Sequence, residues 1–122
     1  MPFQICIYET FSGAHNLREY QGECEKLHGH NWKVEVSVTG ILNRLGMVID
    51  FTVLRDSLKS ILSKIDHTYL NEIPYFKKNN PTSENITKYI AQELKKDKDL
   101  KKIKIISIKV WEKDTAAATY IL

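Results

Sequence analysis

The chain has 122 residues, 43% of them hydrophobic and 27% charged, with a formal net charge of +3. That length suits one domain with a substantial core, and the mild charge favours an anionic metabolite over a polyanion as partner. The start lacks a basic, then apolar leader and no stretch approaches the ~20 apolar residues of a membrane span, so a cytoplasmic compartment with Cys6 and Cys24 reduced is expected.

Residues 3–11, "FQICIYETF", alternate with Phe3, Ile5, Ile7 and Phe11 on one face. Residues 32–40, "WKVEVSVTG", alternate more cleanly, with Val34, Val36 and Val38 opposite Lys33, Glu35 and Ser37. Both read as half-buried strands, with Cys6 a small buried hydrophobe in the first. After a loop around Gly46, Asp50 caps a helix over about residues 51–64, its stripe formed by Leu54, Leu58, Ile61, Leu62 and Ile65. A loop bounded by Pro74 and Pro81 leads to a second helix, with Thr82 or Ser83 as cap and Glu84 in its first turn. Acids interrupt the lysines of "LKKDKDLKKIK", which reads as a solvated helix end. Residues 102–112 and 116–122 close the chain as two strands about a turn at Lys113-Asp114. The order β-β-α-α-β-β predicts an α+β domain over residues 1–122, a four-stranded antiparallel sheet with two helices on one face. Its two open edges predict pairing between copies.

His28 and His30 stand one residue apart. On a strand both imidazoles point the same way, with the parity of the buried valines. A metal would satisfy them there, and His15, beyond the first strand, supplies a third ligand if the two strands form a hairpin. Three neutral imidazoles with a fourth position open make a catalytic zinc site. Two histidines alone can also be a surface pair near a turn. Cys24 as fourth ligand would give a closed structural site and a binding module without chemistry, although C-x3-H-x-H is an uncommon structural spacing.

Cys24 near a cation would be a low-pKa base or nucleophile. Asp66-His67 suits proton relay, although neighbours in sequence rarely orient one another, and a plain helix end is the other reading. Glu112 shares the parity of Ile106, Ile108 and Val110, so it needs a partner, such as a guanidine-like edge donating two parallel hydrogen bonds to it, unless it simply reaches water.

Together, "FSGAHNL", "CEKLHGH", "GMVIDF", "DHTYLN", "PTSEN" and "VWE" resemble, in order and across nearly the whole chain, the 6-pyruvoyl-tetrahydropterin synthase family, which includes the 6-carboxy-tetrahydropterin synthases. The resemblance implies the tunnelling fold, in which three subunits join their sheets into a barrel and two rings stack as a homohexamer. It implies Zn²⁺ on His15, His28 and His30, and a proton-transfer group of Cys24, Asp66 and His67 assembled across a subunit boundary. It further implies a pterin-ring anchor at Glu112, with Thr82, Ser83 and Glu84 nearby. The implied substrate is 7,8-dihydroneopterin triphosphate. The C-x3-H-G-H spacing resembles the branch that forms 6-carboxy-5,6,7,8-tetrahydropterin for queuosine and 7-deazaguanine synthesis, rather than the C-x5-H-G-H of 6-pyruvoyl formers. One departure is Glu25, which overlays E-x-x-H-G-H on the cysteine motif and resembles variants that cleave the side chain to 6-hydroxymethyl-7,8-dihydropterin. Gly13 stands where relatives carry Ala or Ser, a change expected to be harmless.

Overall fold

Two twelve-residue strands, β1 (Gln4–His15) and β2 (His28–Thr39), pair antiparallel along their whole length, from Gln4↔Thr39 to His15↔His28. Strict alternation drives this: Ile7 and Phe11 on β1, and Trp32, Val34, Val36 and Val38 on β2, are all buried on one face. The first strand therefore runs four residues past Phe11 and carries His15 as its last residue. Phe3 lies before it and is 49% exposed. The computed structural model describes residues 2–23 and 25–122, so Cys24 lies outside the described residues.

Asp50 caps α1 (Phe51–Ser63) as expected, its carboxylate accepting from the Thr52 N–H. Then come β3 (Thr68–Tyr69), α2 (Pro74–Lys78), α3 (Ser83–Lys95), β4 (Lys104–Lys113) and β5 (Ala116–Ile121). The sheet order is β3-β1-β2-β4-β5, antiparallel except for β3, which lies parallel to β1 at Gly13↔Thr68 and Ala14↔Tyr69. The expected α+β class holds, with α1 packed on β1 and α3 on β4 and β5. Leu54, Leu58, Ile86, Ile90 and Leu94 close the core over the valine face.

Two elements depart from expectation. The sheet has five strands rather than four, since the two-residue β3 is too short to show a period. The stretch between Pro74 and Pro81, expected as loop, holds the single-turn α2, begun by Pro74 in its first turn and anchored by fully buried Phe76. Cys6 also differs. It has the parity of the outer face and is exposed, and its thiol is held above its ordinary pKa by partial burial and then by neighbouring Glu35. Among the described residues no helix is long and apolar enough to cross a membrane.

Candidate metal centre and adjoining cleft

The β1–β2 register brings His15 opposite His28, and the alternation of β2 stacks His28, His30 and Trp32 on the core side. The rings meet edge-on, with centroids 4.7 Å apart for His15–His28, 5.3 Å for His15–His30 and 4.8 Å for His28–His30. Trp32, fully buried, floors the group. Its indole meets His15 and His30 edge-on at 4.9 and 5.2 Å, and its Nε1–H donates to the Gly13 carbonyl at 3.1 Å.

Backbone carbonyls set the tautomers. His15 Nδ1 lies 2.8 Å from the Pro81 carbonyl and His28 Nδ1 2.8 Å from that of Lys26. A carbonyl only accepts, so both Nδ1 atoms donate, and in the neutral rings both Nε2 lone pairs are bare. Those two Nε2 atoms face each other at 3.1 Å. His30 Nε2 is buried without a hydrogen-bond partner, and burial foremost lowers the His30 pKa. Glu112 joins them, its Oε1 3.4 Å from Nε2 of both His15 and His30.

A tetrahedral ion with bonds of ~2.0–2.1 Å separates its ligands by about 3.3–3.4 Å. The spacings of 3.1 and 3.4 Å fit that figure, and all four donor atoms lie within 4.8 Å of one another. Two bare Nε2 atoms, the unpartnered Nε2 of His30 and a carboxylate oxygen converge here, a set that a cation satisfies, and the group can hold a metal ion.

The remaining candidates fall into two places. Glu25 borders the histidines: its Oε1 accepts from the Leu17 N–H at 3.2 Å and lies 3.8 Å from His28 Nδ1. Asp66 and His67 lie across β1. His67 has a left-handed backbone, φ +56, which turns its ring back so that Nδ1 sits 3.0 Å from Asp66 Oδ1. Contact between these sequence neighbours, unexpected from the chain, follows from that one torsion. The Ser12 N–H donates to Asp66 Oδ1 at 2.9 Å and is the main cause of its lowered pKa, with His67 adding to it. His67 and His30, within one chain, line the same open cleft of about 500 Å³ with Ser12, Asn31 and Tyr69.

Thr82, Ser83 and Glu84 open α3. The Thr82 hydroxyl accepts from the Asn85 N–H as the N-cap, and the adjacent Pro81 carbonyl is the one that holds His15. Thr82→Ala is expected to cost about 1 kcal/mol and roughly 4 °C in Tm, a loss that thermal melts would register. Sequence reasoning missed the carbonyls of Lys26 and Pro81, which no side chain announces. It also missed two asparagine clamps. Asn71 exchanges both amide hydrogen bonds with the Asn16 backbone (3.0 and 2.8 Å), and Asn80 does the same for Arg18 (2.8 and 3.1 Å). They stand in for a strand partner just where β1 ends and His15 must be held.

The fold and donor set define an α+β protein able to hold a metal ion beside a cleft sized for a small molecule. The family model for 6-pyruvoyl tetrahydropterin synthase matches residues 4–121, and the chain belongs to that family. It is 32% identical to a 6-carboxy-5,6,7,8-tetrahydropterin synthase of Haemophilus influenzae, covering 97% of this chain and 98% of that one. It is also 32% identical to a dihydroneopterin monophosphate aldolase of Pyrococcus furiosus, over 92% and 91% of the two chains. The solved 6-pyruvoyl tetrahydropterin synthase of Caenorhabditis elegans superposes with a TM-score of 0.84 at 23% identity, covering 98% and 95%. The tunnelling fold is thereby shown.

Proposed function

We propose that this protein is a zinc-dependent lyase that converts 7,8-dihydroneopterin triphosphate and water to 6-carboxy-5,6,7,8-tetrahydropterin, triphosphate and acetaldehyde. The convergence of three Nε2 atoms, two of them bare and the third buried without a partner, carries the reading. Full-length similarity to the Haemophilus enzyme, and the C-x3-H-G-H spacing, supply the product. His15, His28 and His30 would hold Zn²⁺, which when bound acidifies side-chain hydroxyls and the adjacent C–H bond.

In this reading the Cys24 thiolate removes a substrate proton, and His67, held by Asp66, carries protons at its Nε2, the ring atom turned away from the carboxylate. Glu112 accepts from the 2-amino and ring N–H groups and so sets which end of the substrate faces the histidines. Thr82, Ser83 and Glu84, at the start of α3, border the ring pocket. The unpaired outer edges of β1, beyond its two-residue contact with β3, and of β5 support assembly as a homohexamer by edge pairing. Sedimentation as a monomer would remove that part.

The test is incubation of the zinc-loaded protein with 7,8-dihydroneopterin triphosphate and identification of products by mass. The 6-carboxy product with acetaldehyde is expected; 6-pyruvoyl-tetrahydropterin as main product, or unreacted substrate, would overturn it. Glu25 favours a second reading, retro-aldol cleavage to 6-hydroxymethyl-7,8-dihydropterin, because its carboxylate stands beside His28 and the Pyrococcus relative is named an aldolase. An unchanged product ratio in Glu25→Ala removes that reading.

A further inference from the structure

We infer that the face of the sheet turned away from the helices carries a second ligand site, a recess that binds an oligophosphate anion. The site needs neither the metal nor the reaction proposed above. It is formed by residues of β2 and β4 that alternate with the buried valines: Lys33 pairs with Trp111 across the ladder, and Lys109 stands two residues before Trp111. Every described lysine is exposed except Lys33 and Lys109, which are half-buried. An ammonium leaves water only at a cost that a partner must offset. Lys59, Lys64 and Lys96 have carboxylates within 4.0 Å, whereas among the described residues Lys33, Lys109 and Lys113 have none. Two of these ammoniums lie on aromatic rings instead. Lys33 Nζ is 4.3 Å from the Tyr8 ring centre and 5.6 Å from that of Trp111, and Lys109 Nζ is 4.2 Å from that of Trp111. A ring face attracts a cation but leaves its N–H donors without a lone pair to meet.

Trp111 adds a donor of its own. Its Nε1–H is buried and has no acceptor among the described residues, a deficit that an anion's oxygen would remove. Lys33, Trp111 and Lys113 line a recess of about 210 Å³ with Asn31 and Asp114. Lys109 rests on the same indole, so three ammoniums face the one carboxylate of Asp114 there. Glu35, opposite Lys109 in the ladder, makes no ion pair with it. Such a surplus of donors suits a ligand that only accepts and carries several negative charges. Linked phosphates have both properties, and lysine serves them as a point charge; a single carboxylate would engage one ammonium and leave the others. Asn31 lines both this recess and the cleft of His30 and His67, and its Oδ1 accepts from the Ser12 hydroxyl at 2.8 Å. The two spaces therefore adjoin. An anion seated here is either a free oligophosphate or the tail of a molecule lying in the cleft.

The test titrates inorganic triphosphate into the full-length protein and reads tryptophan emission, with calorimetry beside it. Trp32 is sealed in the core, so an emission change reports Trp111. His28→Ala, with the metal centre broken, is expected to bind as wild type does, which separates this site from triphosphate meeting zinc. Lys33→Met and Lys109→Met keep the apolar stems and remove the charge. Each is expected to weaken binding at least about tenfold, whereas Lys88→Met, at an exposed position of α3, should match wild type. Added salt should weaken what binding remains. Kinetics tell the source of the anion. A raised KM for 7,8-dihydroneopterin triphosphate in Lys33→Met assigns the recess to the substrate's tail, and an unchanged KM assigns it to a free anion. If wild type binds no triphosphate by either measure, or if both lysine variants bind it as tightly as wild type, the inference falls and the lyase reading stands. If triphosphate binds but no product forms, the lyase reading falls and the site stands.

Discussion

Replacing His28 by alanine is expected to lower zinc affinity by more than about 100-fold and to abolish turnover at ordinary metal concentrations. Losing an outer partner of a ligand already costs about 10–100-fold, and losing a ligand costs more. His28 is the cleanest of the three histidines to remove. Its side chain is 37% exposed, so its deletion opens no deep cavity. His15→Ala should show the same metal loss with a second penalty. Its ring is buried, and the Pro81 carbonyl would lose its donor, a cost of about 1–3 kcal/mol. Chelator competition and thermal melts separate the two effects: equal zinc loss with unequal stability is expected. Retained stoichiometric zinc in His28→Ala would sink the three-imidazole centre.

Replacing His67 by alanine should leave zinc bound and lower kcat by about 10²–10⁴-fold, the range for a positioned acid–base group. The ring is largely exposed on the cleft wall, so fold and metal content should not change. Asp66→Asn tests the partner by pH. The native Asp66 pKa is depressed below its ordinary 3.8, by the Ser12 N–H first and by His67 after it. A depressed carboxylate pKa gives stability that is present above the ordinary value and is lost as pH falls through the native one. The stability difference between wild type and Asp66→Asn should therefore hold from pH 7 to about 5 and shrink below 3.8. Urea midpoints across that range check the sign, and a difference that grew on acidification would contradict it.

The parts of this architecture legible in the chain were those written in side-chain period and caps. Alternation placed His28 and His30 on the valine face, and continuing the ladder by register put His15 opposite. Asp50, and the pair Thr82 and Ser83, announced their helices by type and position, and Asp50 and Thr82 are the residues that cap them. What stayed hidden depends on single torsions, backbone groups and bulges. His67 contacts Asp66 through one positive φ, and although parity put Glu112 on the buried face, the register shift beside it was not written in the alternation. The carbonyls of Lys26 and Pro81 decide which imidazole nitrogen is bare, yet any residue supplies a carbonyl. Cys6 misled because a thiol's burial was inferred from its type when its parity pointed outward.

The left-handed backbone at His67 bears on how such a chain can drift. An L-residue there costs about 1–2 kcal/mol over a relaxed conformation, and glycine would adopt the same torsion freely. With His67 as the proposed proton carrier, selection for robustness alone would erode the histidine, whereas selection for turnover would retain it. A lineage released from its reaction should therefore lose this position early and keep its sheet, leaving a sturdier but inert descendant.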